Sequence, residues 1–86
     1  MTADDIEARL RAALAPLALQ VHDDSEQHAG HAGAKDGRHF SVHLTSERFT
    51  GLSRVARHRL VYDSLGPLTV QGVHALALVT KAPGEN

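Results

Sequence analysis

Residues 38–45, RHFSVHLT, alternate without interruption. Phe40, Val42 and Leu44 fall on one side, and His39, Ser41, His43 and Thr45 on the other. Such alternation is the pattern of a strand with one covered face. A sheet built around it needs apolar cover on the Phe40 side only, which restricts where every other element can sit.

The flanking segments supply that cover. Residues 3–14 place Ile6, Leu10, Ala13 and Leu14 at helical spacing. Thr2 and Asp5 form a capping box, Glu7 and Arg11 sit one turn apart, and Pro16 stops the helix. Leu17, Leu19 and Val21 alternate, so residues 17–23 read as a strand. "SERFTG" is a turn that tucks Phe49 into the core. Residues 53–65 read as a second helix capped by Ser53, with an apolar arc of Val55, Val61, Tyr62 and Leu65. His58 falls inside that arc as a hydrogen-bonded structural histidine, and Arg54 snorkels out of it. "VHALALVT", 73–80, is a third, well-covered strand, and residues 81–86 are expected to be a flexible tail.

The 86 residues therefore form one domain, with a core of about residues 3–80. Its order is helix, strand, strand, helix, strand. The first two strands pair antiparallel across a loop. A helical crossover joins the second and third, which makes them parallel and right-handed. The expected architecture is α+β: a three-stranded mixed sheet with two helices on one face.

Between the first two strands lies QHAGHAGAKDGRHF, 27–40, with His28, His31 and His39 in a glycine-rich stretch flanked by His22 and His43. If strands two and three are parallel neighbours, they start at the same sheet edge, about 5 Å apart. His74, at the start of strand three, then joins the edge that carries the loop. Imidazole suits Zn, Cu, Fe and Ni. The loop is long and weakly preorganised, so an incomplete site is expected: one loop histidine and His74, with the remaining ligands from a partner.

Other chemistries find less support. The chain has no cysteine, so it offers neither a disulfide, a thiolate ligand nor a cysteine nucleophile. Ser25 near His28 is the only dyad-like pair and lacks a placed orienting group, so no enzyme is expected. A net charge of −1 argues against phosphate binding by the whole surface. A local basic patch of Arg54, Arg57 and Arg59, with Lys35, remains open to DNA, although no GxxG loop joins two helices to clamp a nucleic-acid backbone. The N-terminus opens with Asp4, Asp5 and Glu7 and no basic leader, and no apolar run spans a membrane, so a cytoplasmic location is expected.

Taken together, "DDS" at 23–25, "HAGHAG" at 28–33, "HF" at 39–40, Ser46 to Gly51 as S-x-x-F-x-G, "RHRLVY" at 57–62 and "VHALAL" at 73–78 resemble the BolA family. The resemblance runs from about Ile6 to Thr80. It implies a fold like the class II KH domain and association with a monothiol glutaredoxin, the two sharing a [2Fe–2S] cluster. In that pairing the glutaredoxin gives a cysteine and its bound glutathione a thiolate. The resemblance assigns His74 as one ligand of this chain and His31, His28 or His39 as the other. It further implies a role in iron–sulfur trafficking or iron regulation. The alternative is transcription control through DNA binding by the helix that carries "RHR". A homodimer is a further assembly left open.

Overall fold

A computed structural model describes residues 1–24, 38–67 and 72–85. Helix α1 spans Ala3–Leu14, strand β1 Ala18–Asp23, strand β2 Arg38–Thr45, helix α2 Arg54–Leu65 and strand β3 Val73–Lys81, with a short 3-10 turn at Glu47–Phe49 before α2. The expected α–β–β–α–β order is present.

Local chemistry fixes the element ends. Thr2 accepts from the Asp5 N–H at 3.1 Å while the Asp5 carboxylate accepts from the Thr2 N–H at 2.8 Å. These bonds hold the Asp5 carboxyl below its ordinary range. The helix closes at Ala15, which takes a left-handed φ of 44° ahead of Pro16. Ser53 caps α2 by accepting from the Ala56 N–H.

The sheet order is β1–β2–β3. β1 pairs antiparallel with β2, Val21 opposite Val42. β2 pairs parallel with β3, Val42 beside Leu78. Phe40, Val42 and Leu44 are buried against Ile6, Leu10 and Leu14 of α1 and Val61 and Leu65 of α2. Phe49 is fully buried with them, as its turn predicts. The opposite face carries His22, Ser41, His43 and Val79 and has no helical cover among the described residues.

Several side chains depart from expectation. Ala13 is exposed, so the α1 stripe is Ile6, Leu10 and Leu14. Leu17 is 64% exposed: its N–H pairs with the Thr45 carbonyl, but it precedes β1 and nothing covers its side chain. On α2, Val55 is 61% exposed and Tyr62 also faces outward. The inward stripe runs instead through Arg57, Val61 and Leu65, four residues apart. An arginine holds the position the apolar arc assigned to Val55. Beyond residue 80, Lys81 still belongs to β3, Ala82 is buried, and the Lys81 carbonyl accepts from the Ser46 N–H at 3.0 Å.

Ser46 is the polar residue of this core. It is fully buried. Its hydroxyl donates to the Leu14 carbonyl at 2.7 Å and accepts from the Arg48 N–H at 3.1 Å. One side chain thus satisfies the end of α1, caps the 3-10 turn and locks that turn to the helix. Ser46→Ala leaves both groups without their partner. It is expected to lower stability by about 1–3 kcal/mol, read as a lower urea midpoint at unchanged slope.

Candidate functional site

The parallel ladder decides what meets at the glycine-loop end of the sheet. Arg38 pairs with Val73 and His39 with Ala75, so the register slips by one residue and His74 is the extra residue of β3. A bulge of this kind locally twists a strand and re-aims its backbone. His74, placed here by its backbone, therefore lies between the partners of Arg38 and His39. The expected convergence of the two strand starts at one sheet end is present in the fold. His28, His31 and Lys35 lie outside the described residues, as does Ser25.

Acids surround the β2 start. The Asp24 N–H extends the β1–β2 ladder by donating to the His39 carbonyl at 2.7 Å. The Asp24 carboxylate accepts from the Ser41 hydroxyl, and its other oxygen lies 3.4 Å from His22 Nε2. Asp23 pairs with Arg38 at 2.9 Å. On the open face, His22 is opposite Ser41, and His39 and His43 flank Ser41 along β2, so three imidazoles surround one hydroxyl. Sequence reasoning missed Asp24 and Ser41 as an anchoring pair. The "DDS" run was visible, but its partner emerges only from the β1–β2 register. Among the described residues, no three His, Asp or Glu side chains gather to hold a metal ion alone.

The basic patch divides. Arg54 and Arg59 are exposed on α2. Arg57 is not a free surface cation: its side chain is only 12% exposed. Its guanidinium donates to the Leu52 carbonyl at 2.9 Å, to the Thr80 carbonyl at 3.4 Å, and through both Nη atoms to the Glu85 carboxylate at 2.5 and 2.7 Å. The grouping of Arg57 with a DNA-contacting surface is therefore corrected. A guanidinium whose donors are already bonded inside the domain is unavailable to phosphate. His58 is half-buried beside it.

These features define the class: a small α+β domain with two helices over one face of a mixed sheet and an imidazole-bearing end where β2 and β3 begin. The chain belongs to the BolA family; a family model described as BolA-like protein matches residues 10–85. It is 43% identical to the chloroplastic protein BOLA1 of Arabidopsis thaliana over 98% of this chain and 55% of that protein. It is 45% identical to the DNA-binding transcriptional regulator BolA of Escherichia coli over 93% of this chain and 74% of that one. The chain thus spans about half the length of the Arabidopsis relative. Among solved structures, BolA1 from Arabidopsis thaliana superposes with a TM-score of 0.84 at 41% identity, covering 100% of this chain and 96% of that one. The BolA domain of SufE1 from the same plant gives 0.83 at 43%, covering 98% and 94%. No helix among the described residues is long and apolar enough to cross a membrane.

The Arg57 bond, supported by the Ala82 N–H, holds the Glu85 carboxyl down to about 2 from its usual 4.5. A carboxyl depressed on folding contributes stability that is full above its unfolded value and is lost as pH falls through its folded value. Acidification from pH 4.5 to 2 should therefore lower the melting temperature more in the wild type than in Glu85→Gln. The difference between the two should narrow steadily toward pH 2, as read by thermal denaturation across that range.

Proposed function

We propose that this BolA-family domain shares a [2Fe–2S] cluster with a monothiol glutaredoxin, in iron–sulfur trafficking or iron regulation. Its part is that of an adaptor rather than an enzyme. The observation that carries the reading is the β2–β3 register, which sets the backbones of His39 and His74 side by side at the end where residues 25–37 join the sheet.

The donor set fits the assignment. Imidazole nitrogen is an iron ligand, and a chain without cysteine has no thiolate of its own. The thiolates come from the partner: a glutaredoxin cysteine and the glutathione bound beside it. His74 is one ligand. His31, His28 or His39 is the other, and Asp24 and Ser41 brace the backbone next to His39. Replacing two thiolates by two neutral imidazoles makes the site less negative and raises its potential. The cluster is cargo here, and a mixed ligand set favours passing it on over storing it.

Anaerobic reconstitution with a monothiol glutaredoxin and glutathione tests the reading. The mixture should give absorption and circular dichroism spectra distinct from those of glutaredoxin alone, and His74→Ala should abolish that difference. His28→Ala, His31→Ala and His39→Ala, taken singly, identify the second ligand. Spectra unchanged by His74→Ala would remove the assignment.

A second reading rests on the name of the Escherichia coli relative, a DNA-binding transcriptional regulator. In this chain Arg54 and Arg59, exposed on α2, with Lys35, would contact phosphate. Arg54→Ala with Arg59→Ala is then expected to reduce the salt-dependence slope of DNA binding by about 2. No mobility shift at low salt, with any duplex tried, would exclude this reading.

A further inference from the structure

A second candidate site lies at the opposite end of β3 from His74. There the first turns of α2 overhang the strand and leave a cleft of about 590 Å³, within the range of ligand-binding clefts. β3 closes the sheet beyond β2. The Thr80 carbonyl turns away from β2, since it accepts from Arg57 of α2. Main-chain direction repeats every second residue along a strand, so Leu76 and Leu78 aim their N–H and C=O groups toward the same open edge.

Among the described residues, the cleft is lined by Arg54, Arg57, Lys81 and His58 and by one acid, Glu85. The whole chain, by contrast, has a net charge of −1. The domain itself shows what this cleft accepts. The chain beyond β3 turns back and seats the Glu85 carboxylate on the Arg57 guanidinium, with the Ala82 N–H donating to it at 3.0 Å. Arg57 is thereby satisfied, while Arg54 of α2 and Lys81 of β3 add positive charge to the lining. Among the described residues, no aromatic side chain lines the cleft, so none of them would stack a nucleobase there. A strand edge with no neighbouring strand among the described residues matches a polypeptide instead, through main-chain bonds.

We propose that the β3 edge and the overhanging α2 form a docking groove for an extended acidic polypeptide segment of a partner protein. The segment adds as a fourth strand beside Leu76–Thr80 and places carboxylates against Arg54 and Lys81. The part of β3 that lines the cleft begins at Leu78, four residues beyond His74 and about 13 Å away at strand rise. The groove is therefore separate from the imidazole end, and the proposal does not rest on cluster binding.

The test titrates the isotope-labelled full chain with an acetylated peptide alternating Glu and Val over about six residues. Amide NMR shifts and fluorescence anisotropy provide the readout. The Leu76, Leu78 and Thr80 amides should shift, and Arg54→Glu with Lys81→Glu should weaken binding at least about tenfold. Both positions lie outside the buried core, and circular dichroism verifies the fold of the variant. A peptide with Lys in place of Glu, and one with N-methylated valines, should each bind more weakly, the first for charge and the second for lost strand donors. His74→Ala should leave peptide binding unchanged. The proposal fails if these amides do not respond at about 1 mM peptide, or if the N-methylated peptide binds equally well. It also fails if single-stranded DNA displaces the peptide from the same amides, or if concentrated protein alone shifts them by pairing two copies edge to edge.

Discussion

The parallel pairing of β2 with β3 is the constraint on which the rest of this domain depends. Parallel neighbours require a crossover long enough to hold a helix, and that crossover is α2. Placing α2 over the Phe40 face buries Val61 and Leu65 against α1 and leaves the opposite face open. The same pairing brings residues far apart in sequence to one end of the sheet. The slip that makes His74 an extra residue occurs at this end, where β2 also receives the Asp24 and Asp23 contacts. Imidazoles, acids and an irregular backbone thus share one place because of topology, without a dedicated binding loop in the described residues.

The helical layer is held as much by polar ties as by apolar contact. Ser46 joins the end of α1 to the turn after β2. Arg9 reaches from α1 to the Leu65 carbonyl at the end of α2, 2.8 Å away. Arg57 binds the entry to α2, β3 and the C-terminal turn at once. Each tie satisfies a carbonyl that a helix or strand end would leave open, in a domain too small to bury a thick core. Charged groups bonded at element ends are an economical way to close such a fold. They also explain why the arginine-rich helix is a poorer guide to a nucleic-acid surface than its composition implies.

Most of the backbone was legible in the sequence. Alternation at 38–45, helical spacing at 3–14 and the Thr2–Asp5 capping box are local signals, and the structure follows them nearly residue for residue. The α2 face was not legible. Periodicity ranks side chains by hydropathy and so turned Val55 and Tyr62 inward. The domain instead places Arg57 inward, because four oxygens converge on it, one from nearby Leu52 and three from distant Thr80 and Glu85. No local pattern reports partners at Leu52, Thr80 and Glu85 together. The same reason hid Asp24 and Ser41, whose contact exists only once β1 and β2 are in register. For the candidate site, the convergence of the His39 and His74 backbones could be derived from element order. The choice among loop histidines could not, because glycine-rich sequence carries no periodicity from which to place a side chain.

Under the two proposals β3 serves two chemistries from its two ends. The His74 end carries imidazole nitrogen, the donor type that the proposed shared cluster requires. The far end offers permanent cations, suited to carboxylates. The Debye length in physiological salt is about 8 Å, less than half the separation of about 20 Å along the strand. Charge changes at Arg54 or Lys81 are therefore screened before they reach the imidazoles. Any link between the two ends must be mechanical, carried by the β2–β3 ladder.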